Sequence, residues 1–438
     1  MNNIATLAII QETARGGRQG EAEAMLVGFL SSLFPLSIKS VEIRRDTLSL
    51  NSVNGFVHLE KPDEKSGARV LFFKFHHEES EEGLKEYYNS KLLDDNGYPV
   101  EMPLYASHEV GKQVLLYPFK SAERMADLCK RLDKLKKPDA LMHAVLGAQE
   151  ALDALVCERY LATLHDAPRA KLEDETLLQL FHHRLVDERA GTKLGGRHKQ
   201  FYAQKVFELP GSHAIRYEDL ASYEWRINGV EYPSTLAAAF ADAFARLAIS
   251  AHSDPYPAVI AHGDAHNGNV WYNPGPPPHL SLFDPAFAGA HSPALLAEIK
   301  PTFHNIFAHP LWLYDSQECD QTLDIRFRLN DHHIEVEHTW RLSALREGFL
   351  KSKADKIWKP LIAELRRKKK LPAGWAGYMR SALFCCPTLV MNLRAHAGNA
   401  NNFHTPKTSL LGLSVSMMLA TPSADGNDAV SEFFADLE

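Results

Sequence analysis

The most constraining stretch of the chain runs from Ala258 to Gly289. An apolar run, residues 258–261, delivers a His262-Gly263-Asp264 turn, Asn269 follows five residues after the aspartate, and Asp284 closes a second apolar run fifteen residues later. Residues 269–272 and 280–283 read as short strands, because the Asn-Pro-Gly-Pro-Pro-Pro between them cannot continue a helix. A hairpin there predicts Asp284 beside Asn269. Phosphoryl transfer needs a carboxylate at the acceptor hydroxyl and hard oxygen ligands for Mg²⁺ on the phosphates, and Asp264, Asn269 and Asp284 supply such oxygens. The spacing suits a Mg·ATP site. An ordinary turn would account for His-Gly-Asp alone, since Gly and Asp favour turns, but not for the agreement of the later positions.

The pattern His262-Gly-Asp264-x-His266-x-x-Asn269 followed by Asp284 resembles the Brenner-type motif of the aminoglycoside phosphotransferase and choline kinase-like family, small-molecule relatives of protein kinases. That resemblance implies Asp264 as the catalytic aspartate, Asn269 and Asp284 as Mg²⁺ ligands, and His266 where protein kinases carry a catalytic-loop lysine. Asp284-Pro-x-Phe-Ala is also similar to the metal-site segment of methylthioribose and fructosamine kinases. The fold implied is α+β and bilobal, protein-kinase-like, with a small antiparallel-sheet N-lobe at residues 1–118 and a larger, mainly helical C-lobe with insertions at 119–438.

The N-terminal part fits that expectation. Apolar residues at helical spacing (Ala24, Met25, Phe29, Leu33) predict a helix over 21–33 that stops before Pro35. Three strands follow between Ser37 and Phe75. Lys74 sits inside the last, apolar one, where an unpaired ammonium is costly, so a carboxylate or phosphate partner is expected. The helix over 79–94 offers Glu82 and Glu86 one turn apart. The family pattern, Glu-x-x-x-x-x-Leu-Leu before Gly97-Tyr-Pro-Val, favours Glu86 as the partner of a lysine that reaches ATP phosphates. Leu50-Asn-Ser52-Val-Asn-Gly55-Phe occupies the place of a phosphate-covering loop, where Ser52 and Gly55 would offer backbone N–H groups; a plain hairpin turn reads the same way. Residues 114–119, with Leu116 and Tyr117 before Pro118, suit a hinge whose backbone reads adenine.

The C-terminal part reads as helices over 122–136, 140–165 and 173–189, then a hairpin around Asn228-Gly229 and a helix over 234–252. Residues 166–233 are read as an insertion that shapes the acceptor pocket. Beyond Gly289 the chain departs from the family, whose members show a further Asp-Leu or Asp-Ile pair bracing the catalytic loop; only Glu298 is on offer here. Residues 325–338 alternate like an outer hairpin, helices run to about Arg394 and again over 410–420, and an acidic, frayed tail closes the chain.

Composition narrows the function classes. With 438 residues, 45% of them hydrophobic, the chain buries a large core, and a net charge of −7 disfavours general nucleic-acid binding. The basic run 366–370 reads as a solvated helix end. Five cysteines, odd in number and without a Cys-x-x-Cys pair, indicate neither a disulfide framework nor a zinc ribbon and fit a cytoplasmic protein. No stretch reads as a membrane span or a signal peptide. The expectation is an ATP- and Mg²⁺-dependent phosphotransferase acting on a hydroxyl of a small molecule such as a sugar, an amino alcohol or an aminoglycoside. Glu298, Phe303, Trp312, Tyr314 and Asp315 are candidates to receive a polar or amino-bearing acceptor. The alternatives are a catalytically silent ATP-binding pseudokinase, or a kinase-fold enzyme that modifies a protein hydroxyl.

Overall fold

The computed structural model describes residues 4–44, 52–76, 82–109, 111–188, 191–398 and 403–438. The chain divides into two compact units, one of residues 1–122 with 281–286, the other of 123–280 with 287–438.

The first unit opens with two helices, α1 (Ile4–Arg15) and α2 (Gln19–Leu33), where the sequence pattern predicts only the second. Strands β1 (Ile38–Ile43), β2 (Ser52–Leu59) and β3 (Val70–His76), helix α3 (Glu82–Asp95), and strands β4 (Tyr105–Ser107) and β5 (Val114–Pro118) follow. The strands form one antiparallel sheet ordered β1-β2-β3-β5-β4. Ile10, Leu26 and Leu30 from the helices share a core with Val57, Leu71, Phe73 and Leu116 from the sheet. Because side chains alternate along a strand, Leu71, Phe73 and Phe75 enter that core while Lys74 emerges on the opposite face. Helix α3 ends in a glycine cap: Gly97 takes φ +75° and the Tyr98 N–H donates to the Leu93 carbonyl.

The second unit is mainly helical. Its longest helix, Ala140–Thr163, starts at Asp139, whose side chain accepts from the Met142 N–H at 2.7 Å. By length and composition that helix would cross a membrane, yet Asp153 on it is fully buried and ion-paired. Trp375–Val390 packs against both Leu236–Leu247 and Pro406–Ala420. Thr405 and Thr408 form a capping box for the last of these, and its buried positions run almost all the way round.

The expected helix over 173–189 does not form. Instead the chain makes two tight turns, Arg169–Asp174 and Thr176–Leu180, and a single helical turn, His182–Leu185. Glu175 between them is extended, its carboxylate accepting from the His291 N–H at 2.8 Å and the Ser292 hydroxyl at 3.3 Å, so tertiary bonds override local periodicity. The tail is also corrected: Ala429–Leu437 is a helix capped by Asp428, with Val430, Phe433, Phe434 and Leu437 buried at helical spacing.

The hairpin expected at Asn228-Gly229 is present, both residues at positive φ (51° and 84°) as a type I′ turn requires. It does not stand alone. Glu224–Ile227 pairs in parallel with His333–Val336, giving a four-stranded sheet ordered Val230–Thr235, Glu224–Ile227, His333–His338, Ile325–Leu329. The segment read as an insertion and the late hairpin read as an outer flap are therefore one structure.

Candidate active site

In the second unit, strand Tyr256–Ala261 lies between Gly289–Pro293 and His165–Ala167 and leads directly into His262. Gly263 turns the chain at φ +76°, and a Cβ there would fall 2.5 Å from the Phe287 carbonyl oxygen, so no larger residue fits without moving backbone. The turn presents Asp264, whose carboxylate is nearly buried and sits 2.9 Å from the ammonium of Lys300, itself buried. Burial pushes the Asp264 pKa up. The Lys300 charge, then those of His266 and His262 together with the Lys300 hydrogen bond, more than offset it and hold the group below its ordinary value of 3.8.

The loop around Asp264 is tied by its own backbone. The Asp264 carbonyl accepts from the His266 N–H at 2.8 Å and from the Asn269 side-chain amide at 3.0 Å. His266 Nδ1 accepts from the Gly268 N–H at 3.0 Å, which pins the ring to the loop; its Nε2 lies 3.7 Å from Asp264 Oδ1. With its NH₂ donating to the loop, Asn269 has its amide oxygen as the atom that could take a cation.

The loop brace comes from residues that sequence reasoning missed. Asn305 Oδ1 accepts from the Asn267 N–H at 2.7 Å, and the Asn305 carbonyl accepts from Arg346 Nη1 at 2.6 Å. Arg346 is in turn held by buried Asp133, at 2.6 Å. Glu298 plays no part in this: its carboxylate takes the Tyr160 hydroxyl at 2.7 Å and pairs with Lys353. Lys300 follows the stretch 293–299, which is apolar except for Glu298, and no local pattern marks it as a partner of Asp264.

In the first unit, Lys74 binds two carboxylates, Glu86 Oε2 at 2.8 Å and Asp284 Oδ1 at 2.9 Å. The second Glu86 oxygen accepts from the Tyr117 hydroxyl at 2.8 Å. Burial lowers the Lys74 pKa, but the Glu86 and Asp284 charges dominate and the net shift is upward. Asp284 sits in a turn at φ +54°, with its carbonyl accepting from the Ala286 N–H at 2.9 Å, and Asn89 fixes the next residue by donating to the Pro285 carbonyl at 2.8 Å. The Asp284 side chain stays 41% exposed, against 7% for Glu86.

The remaining expected residues lie as follows. Gly55 lies within β2, where a Cβ would fall 1.9 Å from the Glu42 carbonyl and 2.7 Å from the Phe73 ring, so strand packing accounts for the glycine without a phosphate. Ser52 begins β2 opposite His76, and residues 45–51 of the proposed loop lie outside the described residues. Leu116 is a core residue whose carbonyl accepts from the Leu104 N–H, and Tyr117 points its hydroxyl at Glu86. Among the proposed acceptor contacts, Phe303 and Trp312 are fully buried, Asp315 pairs with Lys130 at 2.7 Å, and the Tyr314 hydroxyl meets His304 Nδ1 at 2.6 Å. The predicted residues thus gather as Lys74, Glu86 and Asp284 in the first unit and Asp264, His266 and Asn269 in the second.

No protein-family model matches the chain, and no curated protein does. The chain is similar to solved phosphotransferases. One is spectinomycin phosphotransferase, APH(9)-Ia, in complex with ADP and spectinomycin, at 11% identity and a TM-score of 0.39, covering 94% of this chain and 98% of that one. Another is an ethanolamine kinase from Plasmodium vivax, at 12% identity and a TM-score of 0.35, covering 86% and 82%. Likenesses this distant decide neither fold nor chemistry, which rest on the pairings above.

Proposed function

We propose that the chain is a Mg·ATP-dependent phosphotransferase that moves the γ-phosphoryl group to a hydroxyl of a small molecule. The observation that carries this reading is the Lys74 ammonium, clamped between buried Glu86 and an Asp284 that remains open on one side. An ammonium so held is a fixed positive charge for phosphate oxygens, and the half-exposed carboxylate beside it is the kind of hard ligand that a phosphate-bound cation takes. Mg²⁺ binds through one or two carboxylates, with phosphates and water filling its remaining positions, and Asp284 would supply such a carboxylate.

On this reading Asp284 and the amide oxygen of Asn269 would hold Mg²⁺, which would supply charge neutralisation on the phosphates. Asp264 orients the acceptor hydroxyl, and Lys300 keeps that carboxylate ionised. His266 holds the loop through Gly268 rather than acting on the phosphoryl group. Because phosphoryl transfer proceeds through a loose transition state, positioning and charge neutralisation supply most of the rate. The brace through Asn305 and Arg346 holds the Asp264 loop without a downstream aspartate, which supports an active enzyme over a silent pseudokinase. The five cysteines, all buried thiols, fit the reducing cytosol proposed for it.

The test is a pair of variants assayed with γ-labelled ATP over a panel of sugars, amino alcohols, aminoglycosides and nucleosides. Asp264→Asn is expected to lower transfer by about 10²–10⁴-fold while Mg·ATP binding, read by calorimetry, stays near wild type. Asp284→Asn is expected to weaken Mg·ATP binding itself. Retained turnover in Asp264→Asn would overturn the assignment.

A further inference from the structure

The second unit contains a cavity of about 740 Å³ along the segment 183–205, lined by Arg184, Arg197, Lys199 and Lys205 with one carboxylate, Asp187. That volume is in the range of small-molecule sites. Four cations against one anion is an unusual wall for a chain of net charge −7, and Asp187 is already engaged by the Gly196 N–H at 2.9 Å and Lys199 at 3.4 Å. Arg184 Nη1 is buried with no hydrogen-bond partner among the described residues. A buried guanidinium N–H without an acceptor is costly and rare in native proteins. Arg197 is held at the wall by donating to the last carbonyls of helix Trp375–Val390, those of Leu389 and Val390, which fixes its charge in place. Guanidinium forks match carboxylate and phosphate oxygens, and clustered cations in a concave wall focus that preference.

The cavity is tied to the Asp264 loop through the segment that ends in Arg184. Leu177, seven residues earlier, packs against Gly263, where its methyl would lie 3.3 Å from an added Cβ; Thr176 donates to the Ala288 carbonyl, and Glu175 is bonded to His291 and Ser292. Electrostatics agree. Burial, then the Arg197 charge, push Arg184 down to about 10, while the Asp264 carboxylate pulls the other way. Arg184 also acts on His304, as Lys300 does.

We propose, on the phosphotransferase reading above, that this cavity holds the anionic group, a phosphate monoester or a carboxylate, of the molecule whose hydroxyl Asp264 orients. The acceptor is then a sugar phosphate or a hydroxy acid. An amino alcohol or an aminoglycoside would bring positive charge to a positive wall, and the carboxylates expected to receive an amine are taken, Glu298 by Lys353 and Asp315 by Lys130.

Two measurements test this on the full chain, for wild type, Arg184→Gln and the double variant Lys199→Gln/Lys205→Gln, whose mouth positions carry little of the fold. Calorimetric titration with inorganic phosphate, run with saturating ADP to occupy the nucleotide site, is expected to show affinity about tenfold or more weaker in both variants. Transfer from γ-labelled ATP is compared for ribose against ribose 5-phosphate and for glycerol against glycerate, with ethanolamine as the cationic control. Wild type is expected to prefer the anionic member of a pair by about tenfold or more, the sugar pair reporting phosphate and the glycerol pair carboxylate, with the preference lost in the variants. Phosphate affinity unchanged in both variants, or ethanolamine or the neutral members labelled as well as the anionic ones, overturns the cavity assignment and leaves the phosphotransferase reading standing. Phosphate binding that the variants abolish, without labelling of any acceptor, overturns the phosphotransferase reading and the acceptor assignment with it.

Discussion

Two buried lysines, one in each unit, are built to the same charge pattern. Lys74 bridges Glu86 and Asp284; Lys353 bridges Asp153, at 2.7 Å, and Glu298. In both, burial opposes the charge and two carboxylates overcome it, raising the lysine pKa. The difference lies in what surrounds the acids. Around Lys353 the accounting is closed: Ser352 and Gln149 donate to Asp153, Tyr160 donates to Glu298, and all three charged side chains are at most 4% exposed. Around Lys74 one acid is left open, since Asp284 is 41% exposed and only its Oδ1 is engaged among the described residues. The two triads thus share their charges and differ in one carboxylate that is left open to the outside.

The sharpest way to break that contrast is to remove each ammonium. Lys353→Met leaves two buried carboxylates uncompensated and is expected to cost about 3–5 kcal/mol of stability in denaturant unfolding, with transfer per folded molecule unchanged. Lys74→Met is expected to cost less than half as much, because Asp284 reaches water and Tyr117 still satisfies Glu86, while transfer falls about 10²–10³-fold. If the two variants lose activity and stability in the same proportion, the contrast fails.

A smaller effect concerns Asp264 and its own lysine. With its folded pKa held below 3.8 by Lys300, Asp264 contributes stability above the ordinary aspartate range, which is lost only as pH falls through the depressed value. It is therefore ionised at neutral pH and should place no acid limb on kcat above about pH 5. In Lys300→Met, burial acts on Asp264 without its main counter-charge, so an acid limb should enter the profile, shifted up by about one pH unit or more. A kcat profile that does not move would remove Lys300 from any role in setting the charge of Asp264.

The smallest change is Tyr117→Phe. It deletes one donor to a buried carboxylate, about 1.5–3 kcal/mol for a hydrogen bond to a charged group. The expected readouts are a modest loss of thermal stability and a KM for ATP raised a few-fold. An unaltered KM would show that Glu86 holds Lys74 without the phenol.

Much of the first unit is legible in the sequence because its signals are local. Strand alternation puts Lys74 opposite the Phe73 and Phe75 face, and helical spacing offers Glu82 and Glu86 as its partner, of which the family resemblance picks Glu86. The His-Gly-Asp turn is legible for the same reason, since Gly263 is required by a close approach to Phe287. What escapes is held by long-range bonds. The segment 173–189 carries helical periodicity, yet Glu175 is claimed by a strand more than a hundred residues later. Lys300, Asn305 and Arg346 act on the Asp264 loop from positions whose local pattern says only buried helix. At Gly55 the sequence does not separate the two demands on a glycine, and the structure shows the packing one, against Glu42 and Phe73.

The six residues 281–286 belong to the first unit although they are encoded in the midst of the second. A fragment ending at residue 122 would lack Asp284, and with it one of the two counter-ions of Lys74 and the Pro285 carbonyl that engages Asn89. The smaller unit therefore cannot be expressed in native form as a simple N-terminal truncate. Splitting the gene between the units, or swapping the first for that of another protein, would need this short return segment grafted along with it.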